Sequence, residues 1–65
     1  MGKFDDQIAW CRERRAIALE DLKDFAAGQR QFRNDVDITN KLIDRAQQDI
    51  EQFNILIAAY ERLNA

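Results

Sequence analysis

Apolar side chains recur at steps of three and four residues through both halves of the chain, which is the spacing of one face of an α-helix. The two series are mirror images about Asn34. The mirrored pairs are Phe32 with Val36, Phe25 with Ile43, Leu22 with Ala46, Ala18 with Ile50, Cys11 with Ile57, and Ile8 with Tyr60. An antiparallel hairpin needs this reflection, because layers equidistant from the turn meet across the interface. The pattern predicts an all-α, two-helix hairpin, with helices over about 4–33 and 36–63, in a single domain spanning 1–65.

The connection between the helices is predicted around Asn34 and Asp35, since both residues tolerate turn geometry and Asp35 can cap the second helix. Gly28 leaves two interpretations of the first helix open. It can act as a C-cap that ends the helix at Ala27, or it can lie inside a helix that continues to Phe32. Because Phe32 keeps the register of the apolar series, the continuous helix is preferred.

Further apolar residues run beside the main seam on both helices, for example at Leu19, Leu42 and Leu56. A helix in a four-helix bundle has such a broad apolar face because it touches two neighbours. A chain of 65 residues with one cysteine and no histidine also lacks the disulfides and histidine metal sites that stabilise small domains. The prediction is therefore a homodimer of hairpins that forms a four-helix bundle. The residues assigned to its core and dimer seam are Leu19, Leu22, Phe25, Ile43, Ile50, Phe53, Leu56, Ile57 and Tyr60.

Polar residues interrupt the seam at two places. Arg15 lies opposite Phe53 and is expected either to extend its charged end to solvent or to find a partner, because an unpaired charge in a dry core is costly. The candidate partners are Asn54, Glu51 and Asp49. The alternative is that Arg15 lines a groove for a binding partner. Gln29 and Thr39 fall in one layer near the turn and are expected to form a hydrogen-bonded layer that fixes the register.

A separate ridge lies to one side of the seam on the first helix. Trp10 and Ile17 are seven residues apart, hence stacked, and Arg14 lies beside them. Tryptophan and arginine are among the residues most enriched at binding hot spots. Trp10, Arg14 and Ile17 are therefore the candidate partner-binding residues. The alternatives are that the dimer buries this ridge, or that Trp10 covers the end of the bundle.

The composition offers no catalytic centre, so the chain is predicted not to be an enzyme. Without histidine and serine, the common nucleophile and base arrangements cannot be built, and no metal or cofactor site is expected. Cys11 lies on the apolar seam, where it packs as a small hydrophobic residue. An unpaired cysteine indicates a reducing compartment, and no apolar run approaches about 18 residues. A cytoplasmic protein without a membrane span is expected.

The net charge is −2, but the charges are unevenly distributed: basic residues slightly outnumber acidic residues in the first half of the chain, and acidic residues outnumber basic residues in the second half. This asymmetry favours contact between the helices over nucleic acid, which would need a strongly basic face. In size and antiparallel heptad layout, the chain resembles the Rop family of plasmid copy-number proteins, hairpin dimers that bind paired RNA loops. The resemblance implies an alternative function as an RNA-binding regulator. The leading hypothesis is a non-catalytic protein–protein interaction or regulatory module that binds itself and another protein, with nucleic acid less favoured.

Overall fold

The computed structural model describes residues 2–64, so the first and last residues of the predicted domain lie outside the described range. Two α-helices make up most of it: α1 spans Asp5–Ala26 and α2 spans Thr39–Asn64. The helices pack against each other in antiparallel directions. Between them lies a two-stranded antiparallel ribbon, with β1 at Phe32–Arg33 and β2 at Val36–Asp37. The predicted helical hairpin is confirmed, although the bounds of both helices differ from the prediction.

The first helix ends well before its predicted boundary because Gly28 terminates it. Gly28 has a φ of +104°, in the left-handed region that favours glycine. The Gly28 N–H donates to the Phe25 carbonyl and the Gln29 N–H donates to the Asp24 carbonyl, both at 3.1 Å. This pair of bonds is the Schellman motif, which satisfies the last carbonyls of a helix. The preferred prediction of a continuous helix is wrong. The alternative, in which Gly28 caps a helix that ends at Ala27, is confirmed to within one residue, since α1 ends at Ala26 and Ala27 is its C-cap.

The chain reverses at Asn34 and Asp35 through a tight β-turn between two strands. Both residues have positive φ, +51° and +66°, as a type I′ hairpin turn requires at its central positions. The predicted turn is therefore confirmed in position, but the segments flanking it are strands. Phe32 pairs with Asp37 across the ribbon, so Phe32 and Val36 lie on its opposite faces, both largely exposed. The predicted contact between Phe32 and Val36 in one helical seam layer is wrong.

A polar cluster joins the ribbon to α2 around Thr39, which is fully buried. The Thr39 hydroxyl oxygen accepts from the Gln31 N–H at 2.9 Å, and the Thr39 N–H donates to the Asp37 carboxylate at 2.9 Å. The second Asp37 oxygen accepts from Arg30 Nε at 3.0 Å. Hydrogen bonds from the Thr39 side chain and backbone, and then from Arg30, lower the pKa of Asp37 to about 2. Arg30, Gln31, Asp37 and Thr39 are termed the turn cluster.

The turn cluster corrects two predictions made for this region. The expected Gln29–Thr39 layer is wrong, because Gln29 is exposed and Thr39 bonds to Gln31 and Asp37 instead. The side chain that bonds the first turn of α2 is Asp37, while Asp35 occupies the β-turn. Both errors have one physical cause: the helical register that placed these residues stops where α1 ends.

The core between the helices is small and concentrated toward the open end of the hairpin. The buried side chains are Ile8, Cys11, Ala18, Ala46 and Ile57, together with Thr39. Ile8, Cys11 and Ile57 pack together, and Phe53 and Tyr60 pack against them. These five residues are termed the core cluster. Cys11 is thus the small buried hydrophobic residue that the sequence predicts.

Asn64, at the end of α2, closes the open end of the hairpin. Its side-chain oxygen accepts a hydrogen bond from the Phe4 N–H at 2.9 Å, and its amide nitrogen donates to the Asp5 carboxylate at 3.1 Å. Phe4 is the N-cap residue of α1 and makes no side-chain cap of its own. The Phe4 ring also stacks on Tyr60, with centroids 5.2 Å apart. The end of α2 therefore holds the start of α1.

Candidate interaction surface

One side of the hairpin carries a groove between α1 and α2 with a volume of about 530 Å³. The groove is lined from α1 by Trp10, Arg14, Ile17, Ala18, Asp21 and Phe25, and from α2 by Leu42, Arg45, Ala46, Asp49 and Phe53. This surface is termed the groove face. A smaller hollow continues from it, where Trp10, Leu56 and Tyr60 meet. An apolar surface therefore extends along much of one side of the molecule.

The structure brings the three candidate partner-binding residues together on the groove face. The Arg14 guanidinium carbon lies 5.3 Å from the centre of the Trp10 ring, which is a cation–π arrangement. The Trp10 ring meets Phe53 edge to face, with centroids 5.9 Å apart and an interplanar angle of 81°. Trp10 and Ile17 remain about half exposed. Trp10 is therefore held by its neighbours while half of its surface is free for contact.

The residues predicted for the core and dimer seam differ in their burial. Ile57 is buried; Leu22, Phe25, Ile43, Ile50, Phe53 and Tyr60 are partly buried; Leu19 and Leu56 are exposed. Leu56 lies beside Trp10. Ile17 and Leu19 flank the buried Ala18, each about 100° from it around the helix. The two residues therefore lie on opposite sides of the hairpin, and only Ile17 lines the groove.

The side of the hairpin opposite the groove face is more polar. Arg15 is partly buried there and donates to the Asn54 side-chain oxygen at 2.7 Å. The predicted partnership of Arg15 with a residue of the second helix is confirmed. A shallow hollow on this side is lined by Asp5, Ile8, Ala9, Arg12, Glu61 and Asn64. Charged and amide groups thus dominate where the groove face has aromatic and aliphatic side chains.

The charges of the groove face are balanced. Arg14 and Arg45 supply two positive charges, and Asp21 and Asp49 supply two negative charges, so each helix contributes one charge of each sign. A nucleic-acid interface needs an excess of basic side chains to neutralise phosphates. The lining of the groove has no such excess.

The described residues show no assembled metal site. Within 2–64, no group of three or more candidate ligands converges, and every buried side-chain nitrogen or oxygen has a hydrogen-bond partner. The thiol of Cys11 is buried in the core cluster, and the perturbed carboxylate of Asp37 is hydrogen-bonded within the turn cluster. The groove face is therefore the candidate functional surface.

The turn cluster and the Asn64 contact have no counterpart among the sequence predictions. The β-ribbon that carries the turn cluster does have a local signal: Asn34 and Asp35 are residue types that tolerate the positive φ of a hairpin turn, and polar and apolar residues alternate on both sides of them. Asp37 also lies two residues before Thr39, the spacing of a side-chain to backbone bond. Asn64 has no local signal, because its partner Phe4 is 60 positions away.

Comparison with known family models, curated proteins and solved structures finds no match for this chain. Between residues 2 and 64, neither helix is long and apolar enough to cross a membrane. What the chain does must therefore be inferred from the groove face itself.

Proposed function

We propose that this chain is a non-catalytic protein–protein interaction module that acts as a homodimer of helical hairpins. The observation that carries the proposal is the groove face with its adjoining hollow: Trp10 and Ile17 expose apolar surface on the groove face, and Leu56 exposes more in the hollow that shares Trp10. Single exposed apolar residues are normal on a protein surface, whereas a contiguous apolar patch marks a contact site. An aromatic anchor with an adjacent arginine is also the composition of an interface hot spot.

The amount of exposed surface supports a partner of substantial size. The hairpin measures 48 × 17 × 15 Å and has an accessible surface of 5350 Å². A compact folded chain of 7.6 kDa exposes about 4,300 Å², from the scaling of surface with mass. The surplus of about 1,000 Å² is close to the ~800 Å² that each partner contributes to a standard protein–protein interface. Covering the groove face would give the hairpin the second packed layer that a small domain needs.

The charges of the groove face favour a protein partner over RNA. Each arginine of the groove is matched by an aspartate, so the face combines apolar contact with complementary charge. RNA binding, which the Rop-like layout implies, would require the phosphates to be neutralised at a surface with no net positive charge. A regulatory role would follow if self-association and binding of another protein compete for this face.

A matched pair of charge insertions on α1 tests the proposal. Ile17 and Leu19 are 50% and 51% exposed but lie on opposite sides of Ala18. Ile17→Glu places a carboxylate in the groove face and is expected to abolish dimers in sedimentation equilibrium at micromolar concentration, whereas Leu19→Glu leaves them intact. Circular dichroism at 222 nm checks that both variants keep their helices. Equal loss of dimers in both variants, or a wild-type chain that is monomeric throughout, contradicts the proposal.

A further inference from the structure

The α1 side of the groove face is self-complementary about one point. Its six lining residues form three pairs equidistant from the midpoint between Ile17 and Ala18: Trp10 with Phe25, Arg14 with Asp21, and Ile17 with Ala18. Each pair joins compatible groups, namely two aromatic rings, two opposite charges and two aliphatic side chains. A two-fold symmetric contact demands this property, because residue i meets residue j of the partner while j meets i.

We infer that the occupant of the groove face is a second copy of this chain, bound through an antiparallel two-fold contact between the two α1 helices. The inference rests on the proposed homodimer. It specifies that the two protomers contact each other through α1 and which α1 residues lie opposite each other. The axis passes between Ile17 and Ala18, so the half-exposed Ile17 side chains of the two protomers form the centre of the contact, above the buried Ala18 of each. On each side of the axis, Arg14 of one protomer meets the Asp21 of the other.

The spacing along α1 gives this contact its dimensions. Arg14 and Asp21 are seven residues apart, so the two ion pairs lie about 10 Å from each other along the helix, on either side of the aliphatic centre. Trp10 and Phe25 are fifteen residues apart, about 22 Å along the same helix. They are too distant to touch within one protomer. In the dimer, each Trp10 reaches the end of the partner's groove, which Phe25 and Leu42 line.

Charge also determines the direction of the contact. If the two α1 helices met in parallel about an axis along their length, every residue would face its own copy. Arg14 would then face Arg14, and Asp21 would face Asp21, so like charges would oppose each other at both positions. The antiparallel contact converts both repulsions into attractions.

A charge-exchange experiment tests the register. Arg14→Asp places a carboxylate opposite the partner's Asp21, and Asp21→Arg places a guanidinium opposite the partner's Arg14. Each variant alone is expected to raise the dimer dissociation constant about tenfold, since two attractive pairs become repulsive. The double variant, Arg14→Asp with Asp21→Arg, is expected to return to within about threefold of the wild type. An equimolar mixture of the two single variants is expected to form heterodimers. Arg12→Asp, on the polar side of the hairpin, is the matched control.

Sedimentation equilibrium of each sample separates the outcomes. Recovery in the double variant and preferential heterodimers in the mixture support the inference. If the wild type is a dimer but the Arg14 and Asp21 variants have the same dissociation constant as the Arg12→Asp control, the inference is overturned and the proposed homodimer stands. Single variants that dissociate without any recovery on exchange or mixing also overturn it, because Arg14 and Asp21 then do not face each other. A wild-type chain that stays monomeric overturns both the inference and the proposed function.

Discussion

Truncation of Ile57 measures how much the core cluster contributes to holding the two helices together. Ile57 is 5% exposed and packs against Ile8 and Cys11. Ile57→Ala removes three carbon groups, a loss of about 2.4 kcal/mol of transfer free energy at ~0.8 kcal/mol per group. The cavity left behind adds to this loss, because packed helices relax only partly, so the expected total is about 3 kcal/mol. A core of this size supplies about 3–5 kcal/mol in all, so the variant should be close to unfolded.

Urea unfolding followed by circular dichroism at 222 nm measures this loss. Protein concentration is held fixed, because the stability of a dimer depends on it. Ile55→Ala is the matched control: it makes the same chemical change two residues away, at a side chain that is 55% exposed. The control should lose less than about 1 kcal/mol, since little apolar surface is uncovered and alanine favours the helix. Equal losses in the two variants would refute the assignment of Ile57 to the core.

Three further predictions concern the ends of the helices and the turn. Gly28→Ala should lower the free energy of unfolding by about 1 kcal/mol, measured in urea, because φ is +104° there, even though no atom obstructs a Cβ. The carboxyl of Asp37 should titrate with a pKa of about 2 by NMR, below its ordinary value of 3.8. Its contribution to stability is therefore complete above roughly pH 5 and lost as the pH falls through 2, and Asp37→Asn should remove that part of the acid sensitivity. Asn64→Ala should cost about 1 kcal/mol and speed hydrogen exchange at the Phe4 N–H, whose hydrogen-bond acceptor it removes.

The hairpin is predictable from the sequence because the signal for it is local and repeated. Most turns of both helices contribute one apolar residue to the seam, so the mirror relation about Asn34 remains recognisable although Arg15 and Thr39 interrupt it. The same relation predicted Asn54 as one of three candidate partners of Arg15, and the Arg15 guanidinium donates a hydrogen bond to Asn54. The prediction held wherever the helical register continues without interruption.

The boundaries of the helices are less predictable because single residues decide them. Gly28 is compatible with both a helix interior and a C-cap, and in the structure its positive φ and the local Schellman hydrogen bonds end the helix. Phe32 kept the apolar spacing by coincidence and lies in a strand. Asn64 gave no signal because its partners come from the other end of the chain.

The sequence predicted three residues of the groove face as a partner-binding set, but not the extent of the face. Trp10, Arg14 and Ile17 follow from helical spacing alone. Phe25, Leu42 and the other charged residues of the groove share this surface with them. Which residues of the two helices share a surface depends on how the helices are rotated against each other, and packing determines that rotation.

The central claim is that two copies of the chain meet through the groove face in an antiparallel contact. Isotope-filtered NMR on a mixture of labelled and unlabelled chains tests it most directly, because it detects contacts between protomers. Trp10 and Phe25 cannot meet within one protomer, since about 22 Å of α1 separates them. If a second copy binds antiparallel on the groove face, intermolecular contacts are expected between the Trp10 indole of one protomer and the Phe25 ring of the other. Intermolecular contacts confined to Leu19 and the polar side of the hairpin, or none at millimolar concentration, would contradict it.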